Sequence, residues 1–226
     1  MQLSIDTSTR YASLALADAG NVIAELSWYS NQNHTVELVP NIQLLLHRYG
    51  VEYQELSLLG VAVGPGNFSA VRVALSVAKG LSIALGIPIA PVSTLLVEAY
   101  PYLATGRKVS AMVGAGRGQV VAASYQKRNG EKILNSPVRL VTIQELLESA
   151  EPQEFLCGEG MNVMTAEELL FASEMFIITS PQMRPSRRAS SIIHLLSDGD
   201  ISTVEDVAII EPIYARPATL TQPRTL

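Results

Sequence analysis

A chain of 226 residues can build one large domain or two small ones with real cores, and 48% hydrophobic residues give it ample material to bury. The 16 Lys and Arg against 21 Asp and Glu leave a formal charge of −5, which argues against an unaided grip on nucleic acid, where a basic face must neutralise phosphates. Charged residues are only 16% of the chain, few for a fully solvated surface, so part of the apolar surplus is expected to cover a partner.

The chain opens on alternation. Leu3-Ser4-Ile5-Asp6, then "YASLALAD", then Val22 to Trp28 read as three strands joined by the turns "TSTR" and "GN", an antiparallel meander. From His34 to Tyr49 the period becomes helical, with Leu38, Ile42, Leu45, Leu46 and Tyr49 recurring at helical spacing and Gly50 as the stop. The short apolar run "LSLLGVAVG" reads as a strand covered on both faces, and the stretch from about Phe68 to Leu85 as a helix. A second short strand falls in "GIPIAPVST", and Thr94 to Tyr102 is helical. Composition shifts near residues 104–108, which suggests subdomains at 1–104 and 105–226, the last segment returning to the first. In the second part "VSAMVGAG" and "QVVAASYQ" are strands, and Asn129-Gly130 in "KRNGEK" favours a hairpin. Thr142 and Glu145 have capping-box spacing before a short helix. "TAEELLFASEM" and "ASSIIHLLSDG" are helical, and "FLC" and "FIIT" strand-like. The start has no basic region leading into a long apolar run, and no uninterrupted apolar stretch approaches the ~18 residues of a membrane span. With one cysteine, Cys157, an intramolecular disulfide is excluded, and a cytoplasmic location without membrane contact is expected.

The order β-β-β-α-β-α resembles the unit of the actin/Hsp70/sugar-kinase superfamily (ASKHA, ribonuclease-H-like). That implies an α/β fold of two subdomains, the second reduced. Three segments sharpen the likeness. "LSIDTSTRYASLAL", "NHTVELVPNIQLLL" and "GVAVGPGNFSAVRVALSVAKGLS" resemble, in order, the opening, the H-S-E-x-L-L-P segment and the G-P-G-S-F-T-G-L-R signature of the threonylcarbamoyladenosine-biosynthesis proteins. The likeness weakens beyond residue 100, where "GAGRGQVVAASY" and "EPIYARP" are similar to later family segments. The chain is identified as a member of the TsaB (YeaZ) family, non-catalytic paralogues of TsaD. The resemblance implies a TsaD-type catalytic subunit as partner and a TsaE-type ATPase reached through the complex. It also implies a homodimer when the chain is alone, and tRNA engaged only indirectly. The reaction served is threonylcarbamoyl transfer to the adenosine beside the anticodon of tRNAs that read A-starting codons.

The residues themselves offer little chemistry. ATP-binding superfamily members carry D-x-G-[ST] on the first hairpin; here Asp6, Ser8 and Thr9 stand as a weak remnant, with Ser8 where glycine lets phosphate approach. Asp6 is read as a turn cap rather than a metal-orienting carboxylate. His34, His47 and His194 form no close pair of the H-x-x-x-H kind, so no metal, cofactor or peptidase activity is expected. Cys157 reads as buried filler, and "GAGRGQ" as a tight hairpin or bulge in which Gly114 replaces a family aspartate. Gly64-Pro65-Gly66 makes a sharp turn, with Asn67 or Ser69 capping the next helix.

The two helices of the first part carry broad apolar arcs. Ala70, Ala74 and Ala78 form a small-residue stripe with Val71 and Leu75 beside it. The resemblance turns these helices into a partner interface comprising His34, Leu38, Ile42, Leu45 and that stripe, with Arg72 and Lys79 at its edge. On this reading Ala74→Arg breaks docking and leaves the monomer folded. A small ATP-dependent phosphotransferase and a homodimeric regulator are the competing functions.

Overall fold

The computed structural model describes residues 1–128, 133–179 and 187–215. The expected hairpin at Asn129-Gly130 lies outside the described residues, as does the end of "EPIYARP". Two sheets organise the rest. In the first, β1 (Gln2–Asp6), β2 (Tyr11–Asp18) and β3 (Asn21–Tyr29) form the meander; α1 (His34–Arg48), β4 (Leu58–Ala62), α2 (Phe68–Leu85), β5 (Ile89–Val92) and α3 (Thr94–Leu103) follow. The strand order is β3-β2-β1-β4-β5, with β1, β4 and β5 parallel. β1 and β4 are almost wholly buried, which is why "LLGVA" is an unbroken apolar run rather than an alternating one.

The second sheet is built from β6 (Val109–Gly116), β7 (Gln119–Gln126), β8 (Leu134–Asn135) and β9 (Arg139–Thr142), followed by α4 (Ile143–Ser149), β10 (Phe155–Cys157), α5 (Ala166–Met175) and β11 (Ile177–Ile178). Its path runs β11-β10-β6-β7-β8, and β9 also pairs with β7. With β9 as the third member, the order β9-β7-β6-β10-β11 repeats that of the first sheet: an antiparallel meander, a helix, a parallel strand, a helix, a parallel strand. After its first two strands the second copy has shorter elements throughout, the reduced subdomain of an ASKHA-like α/β fold.

The last helix of each copy crosses over. α3 follows the first sheet, yet Leu95, Ala99 and Leu103 are buried with Val109, Ala111, Val121 and Tyr125 of the second. In return α6 (Ala189–Ser197) covers the first sheet, where Ile192 and Leu195 pack with Ala62, Val92 and Val97. Polar bonds seat the start of α6: Ser13 Oγ accepts from the Ala189 amide (2.9 Å), and Ser4 Oγ donates to the Ala189 carbonyl (2.7 Å). Gly60 has no side chain because Ile192 Cγ2 would lie 2.5 Å from its Cβ. Beyond α6 the described residues run back along the first sheet as far as Ile213, with Val204 bridged to Ile89 and the Ile213 amide donating to Val63 O at 2.7 Å.

α2 is long and apolar enough, by length and composition, to cross a bilayer. Here it lies along the first sheet instead, with Ala74 and Ala78 fully buried in the core. Ile192→Ala is expected to cost about 2–5 kcal/mol, the usual price of emptying a filled core site. Urea denaturation should show that loss in the whole cooperative transition, since α6 belongs to the first sheet's core.

Candidate functional site

The end of β1 lies at the junction of the two lobes, where Asp6, Ser8 and Thr9 are all buried. Asp6 does cap its turn: Oδ1 accepts from the Ser8 amide (2.8 Å) and from Ser8 Oγ (2.5 Å). Its other oxygen is taken by a residue 181 positions away. Arg187 Nε donates to Asp6 Oδ2 at 2.5 Å, and Nη2 donates to Thr9 Oγ1 (2.6 Å) and Tyr11 O (2.9 Å). Nη1 reaches Glu159 Oε1 at 3.0 Å and lies 3.5 Å from Glu98 Oε2. Thr9 Oγ1 passes the network on by donating to Glu159 Oε1 at 2.5 Å.

The Arg187 side chain is wholly buried, as are those of Asp6 and, nearly so, Glu98. Burial alone would lower the guanidinium pKa, but the Asp6, Glu159 and Glu98 carboxylates outweigh it and push the value further up. Arg187 is therefore a permanent cation that joins β1 and its turn to the loop after β10 and to α3. Neither Arg187 nor the two glutamates could be read as a site from spacing. A faint signal existed in Glu98, a lone carboxylate inside the apolar run "TLLVEAYPYL", since buried charges require partners.

The Gly64-Pro65-Gly66 turn, with a cis Gly64–Pro65 bond, is packed against the protein itself. A Cβ on Gly66 would sit 2.2 Å from Ser8 O, and one on Gly64, at φ +99°, would sit 2.4 Å from Ile213 O. Both positions therefore require glycine for the turn's own packing, and Ser8 O accepts from the Asn67 amide at 2.7 Å. Asn67, not Ser69, caps α2, its Oδ1 accepting from the Ser69 and Ala70 amides at 3.1 Å each. A small cavity of about 190 Å³ at the starts of α1 and α2 brings together His34, Asn67, Ser69 and Ala70 with Gln32, Thr35 and Val73.

Several expected contact residues face inward. Leu38, Ile42, Leu45, Ala70, Val71, Ala74, Leu75 and Ala78 are each no more than 5% exposed, because this side of both helices covers the first sheet. His34 is likewise buried, with Nε2 2.9 Å from Thr9 O, and so ties α1 to the β1–β2 turn. Ala74→Arg would therefore disrupt the fold, which corrects the expectation that it spares the monomer. The outward faces hold different residues. Arg72 is exposed, its Nε donating to Tyr214 Oη (2.9 Å) and its guanidinium lying over the Phe68 ring; Lys79 is half-buried. Ser76, Gly80 and Ala84 form a second small-residue stripe, exposed along its length. Val36 and Ile83 are each 71% exposed and Leu44 57%.

The remaining candidates have structural roles. Cys157 is fully buried, and burial pushes its thiol pKa well up, away from nucleophile chemistry. "GAGRGQ" is the β6–β7 hairpin, bulged between Gly114 and Gly116, with Arg117 exposed at φ +55°. Among the described residues no group of three or more His, Cys, Asp or Glu side chains could hold a metal.

Comparison with known proteins is consistent across sequence and fold. Residues 23–167 match the family model "TsaD: tRNA N6-adenosine threonylcarbamoyltransferase". The tRNA threonylcarbamoyladenosine biosynthesis protein TsaB of Bacillus subtilis (strain 168) is 33% identical over 223 residues, 95% of this chain and 93% of that protein. The chain belongs to the TsaB (YeaZ) family. The TsaB of Escherichia coli K12 is also 33% identical, over 165 residues that span 72% of this chain and 70% of that one. YeaZ from Pseudomonas aeruginosa shares the fold, with a TM-score of 0.72 at 23% identity, covering 94% of this chain and 98% of that one.

Removing the buried cation tests the junction. Arg187→Met leaves Asp6 buried without its countercharge and is expected to cost about 3–5 kcal/mol. The double variant Asp6→Asn with Arg187→Met should lose less than the sum of the single variants, because the pair is coupled. Equal stability of Arg187→Met and the parent in thermal and urea unfolding would rule the clamp out.

Proposed function

We propose that this chain is a non-catalytic subunit of the machinery that transfers a threonylcarbamoyl group to the adenosine beside the anticodon of tRNAs reading A-starting codons. Its work is to dock a TsaD-type catalytic subunit, and a second copy of itself when alone, through the N-terminal part, residues 1–104. A TsaE-type ATPase and tRNA meet it through that complex, in the cytoplasm, and it needs no cofactor. Family membership supplies the pathway, since the curated relatives are named for threonylcarbamoyladenosine biosynthesis.

One observation carries the docking role. The outward face of α1 and α2 combines large apolar side chains at 57–71% exposure with a bare small-residue stripe. Gly80 has nothing within 4 Å of where a Cβ would stand, so a partner helix can come close to the α2 backbone there. Arg72, stacked on Phe68 and bonded to Tyr214, adds the Arg-and-aromatic composition favoured at interface hot spots. The junction at the end of β1 supports a non-catalytic role: buried Arg187 neutralises Asp6, and the glycine turn is packed against Ser8 and Ile213 of the protein itself. A phosphotransferase would need cations and backbone amides turned toward substrate phosphates, and Arg187 is instead paired with the protein's own carboxylates.

Gly80→Arg is expected to leave the circular dichroism and unfolding midpoint close to those of the parent. The same change should abolish co-purification with a TsaD-type protein and shift any homodimer to monomer in light scattering. Retained pairing would overturn the assignment of this face. Micromolar ATP binding with turnover by the isolated chain, measured calorimetrically with magnesium, would overturn the non-catalytic reading.

A further inference from the structure

The repeat of topology sets α4 and α5 in the second sheet where α1 and α2 stand in the first. Each pair spans the connections from third to fourth and from fourth to fifth strand of its sheet. The second pair also leaves apolar side chains facing out: Leu170 is 63% exposed, Phe171 48% and Met175 41%. α5 buries only Ala172 completely, so most of its apolar residues are not used by the protein's own core. Between the two helices lies a groove of about 410 Å³ with mostly carbon walls, lined by Gln144, Leu147, Glu148, Glu167, Glu168 and Phe171.

Charge separates this face from the first one. α4 and α5 carry Glu145, Glu148, Glu167, Glu168 and Glu174 and no lysine or arginine, whereas α1 and α2 carry Arg48, Arg72 and Lys79 against Glu37 alone. Three of the five glutamates line the groove itself. Glu168 and Glu145 are held by capping boxes, through the Thr165 and Thr142 amides, and Glu148 accepts from Gln144 Nε2 at 2.8 Å. Glu167 stands at the rim.

We propose that the α4–α5 groove is a second docking surface, for a basic amphipathic helix of a partner protein. Apolar side chains of that helix enter beside Phe171 and Leu147, and its lysines or arginines meet Glu148, Glu167 and Glu168. Charge complementarity selects this occupant over a second α4–α5 face, which would set five carboxylates against five. The inference stands independently of the role assigned to α1 and α2.

The test uses the full-length chain and two fluorescein-labelled helical peptides, one of alternating lysine and leucine faces and one with every lysine replaced by glutamate, read by anisotropy. Binding of the lysine peptide at least about 10-fold tighter than the glutamate peptide is expected, weakening as salt rises. Phe171→Ala should weaken it by about 30-fold, as for an interface hot spot. Glu148→Lys with Glu167→Lys should weaken it comparably; Glu168 is spared because it caps α5. Ile83→Ala, on the first lobe, should have no effect and guards against diffuse attraction to an acidic protein. Circular dichroism checks that each variant is folded. Equal affinity for both peptides, indifference to the groove variants, or equal sensitivity to Ile83→Ala would overturn the proposal. So would a lysine peptide that fails to bind while Phe171→Ala dissociates a dimer in light scattering, an outcome that assigns the groove to self-association.

Discussion

A single buried guanidinium holds the middle of this protein together. Arg187 receives Asp6 from the end of β1, the Thr9 and Tyr11 oxygens from the β1–β2 hairpin and Glu159 from the second lobe, with Glu98 of α3 beside it. Two buried carboxylates, a third that is partly exposed and one buried cation are tolerable only when hydrogen bonds fill the remaining positions, and Thr9, Ser8 and backbone groups do that here. Arg187 is held in turn because α6 begins two residues later and is pinned to β1 and β2 through Ser4 and Ser13. The junction of the two lobes at the end of β1 is thereby a structural joint.

Around that joint the architecture is doubled, and each copy is incomplete without the other. α3 covers the second sheet and α6 the first, so the sheet faces turned toward each other are closed by exchanged helices. The opposite faces carry the pairs α1–α2 and α4–α5, which retain exposed apolar side chains but differ in sign of charge. One molecule therefore presents two outer helical faces of opposite charge.

The sequence made most of the element order legible because strand and helix periods are well separated in it. The meander, both apolar strands of the first sheet and the bounds of α2 follow from alternation, glycine stops and the Asn67 cap. The short strand β9 escaped notice, since "RLVT" is too brief and too polar-edged to announce itself. Facing was harder than existence. Helix α2 has two small-residue stripes, Ala70-Ala74-Ala78 and Ser76-Gly80-Ala84, and spacing alone does not say which lies on the sheet. The more apolar one does, because alanine tolerates full burial while Ser76 and Gly80 gain nothing from it. The joint was illegible for a different reason. Asp6 and Arg187 meet across 181 positions, and no local period encodes such a pairing.

The exchange of α3 and α6 also bears on how the chain can be divided. Cut between α3 and β6, it would yield one piece bearing the helix that shields the other's sheet, and a second bearing the helix that shields the first. Each fragment alone would expose a broad apolar sheet face and an orphaned helix. The fold is thus a reciprocal pair of halves, each completed by a helix that the other supplies.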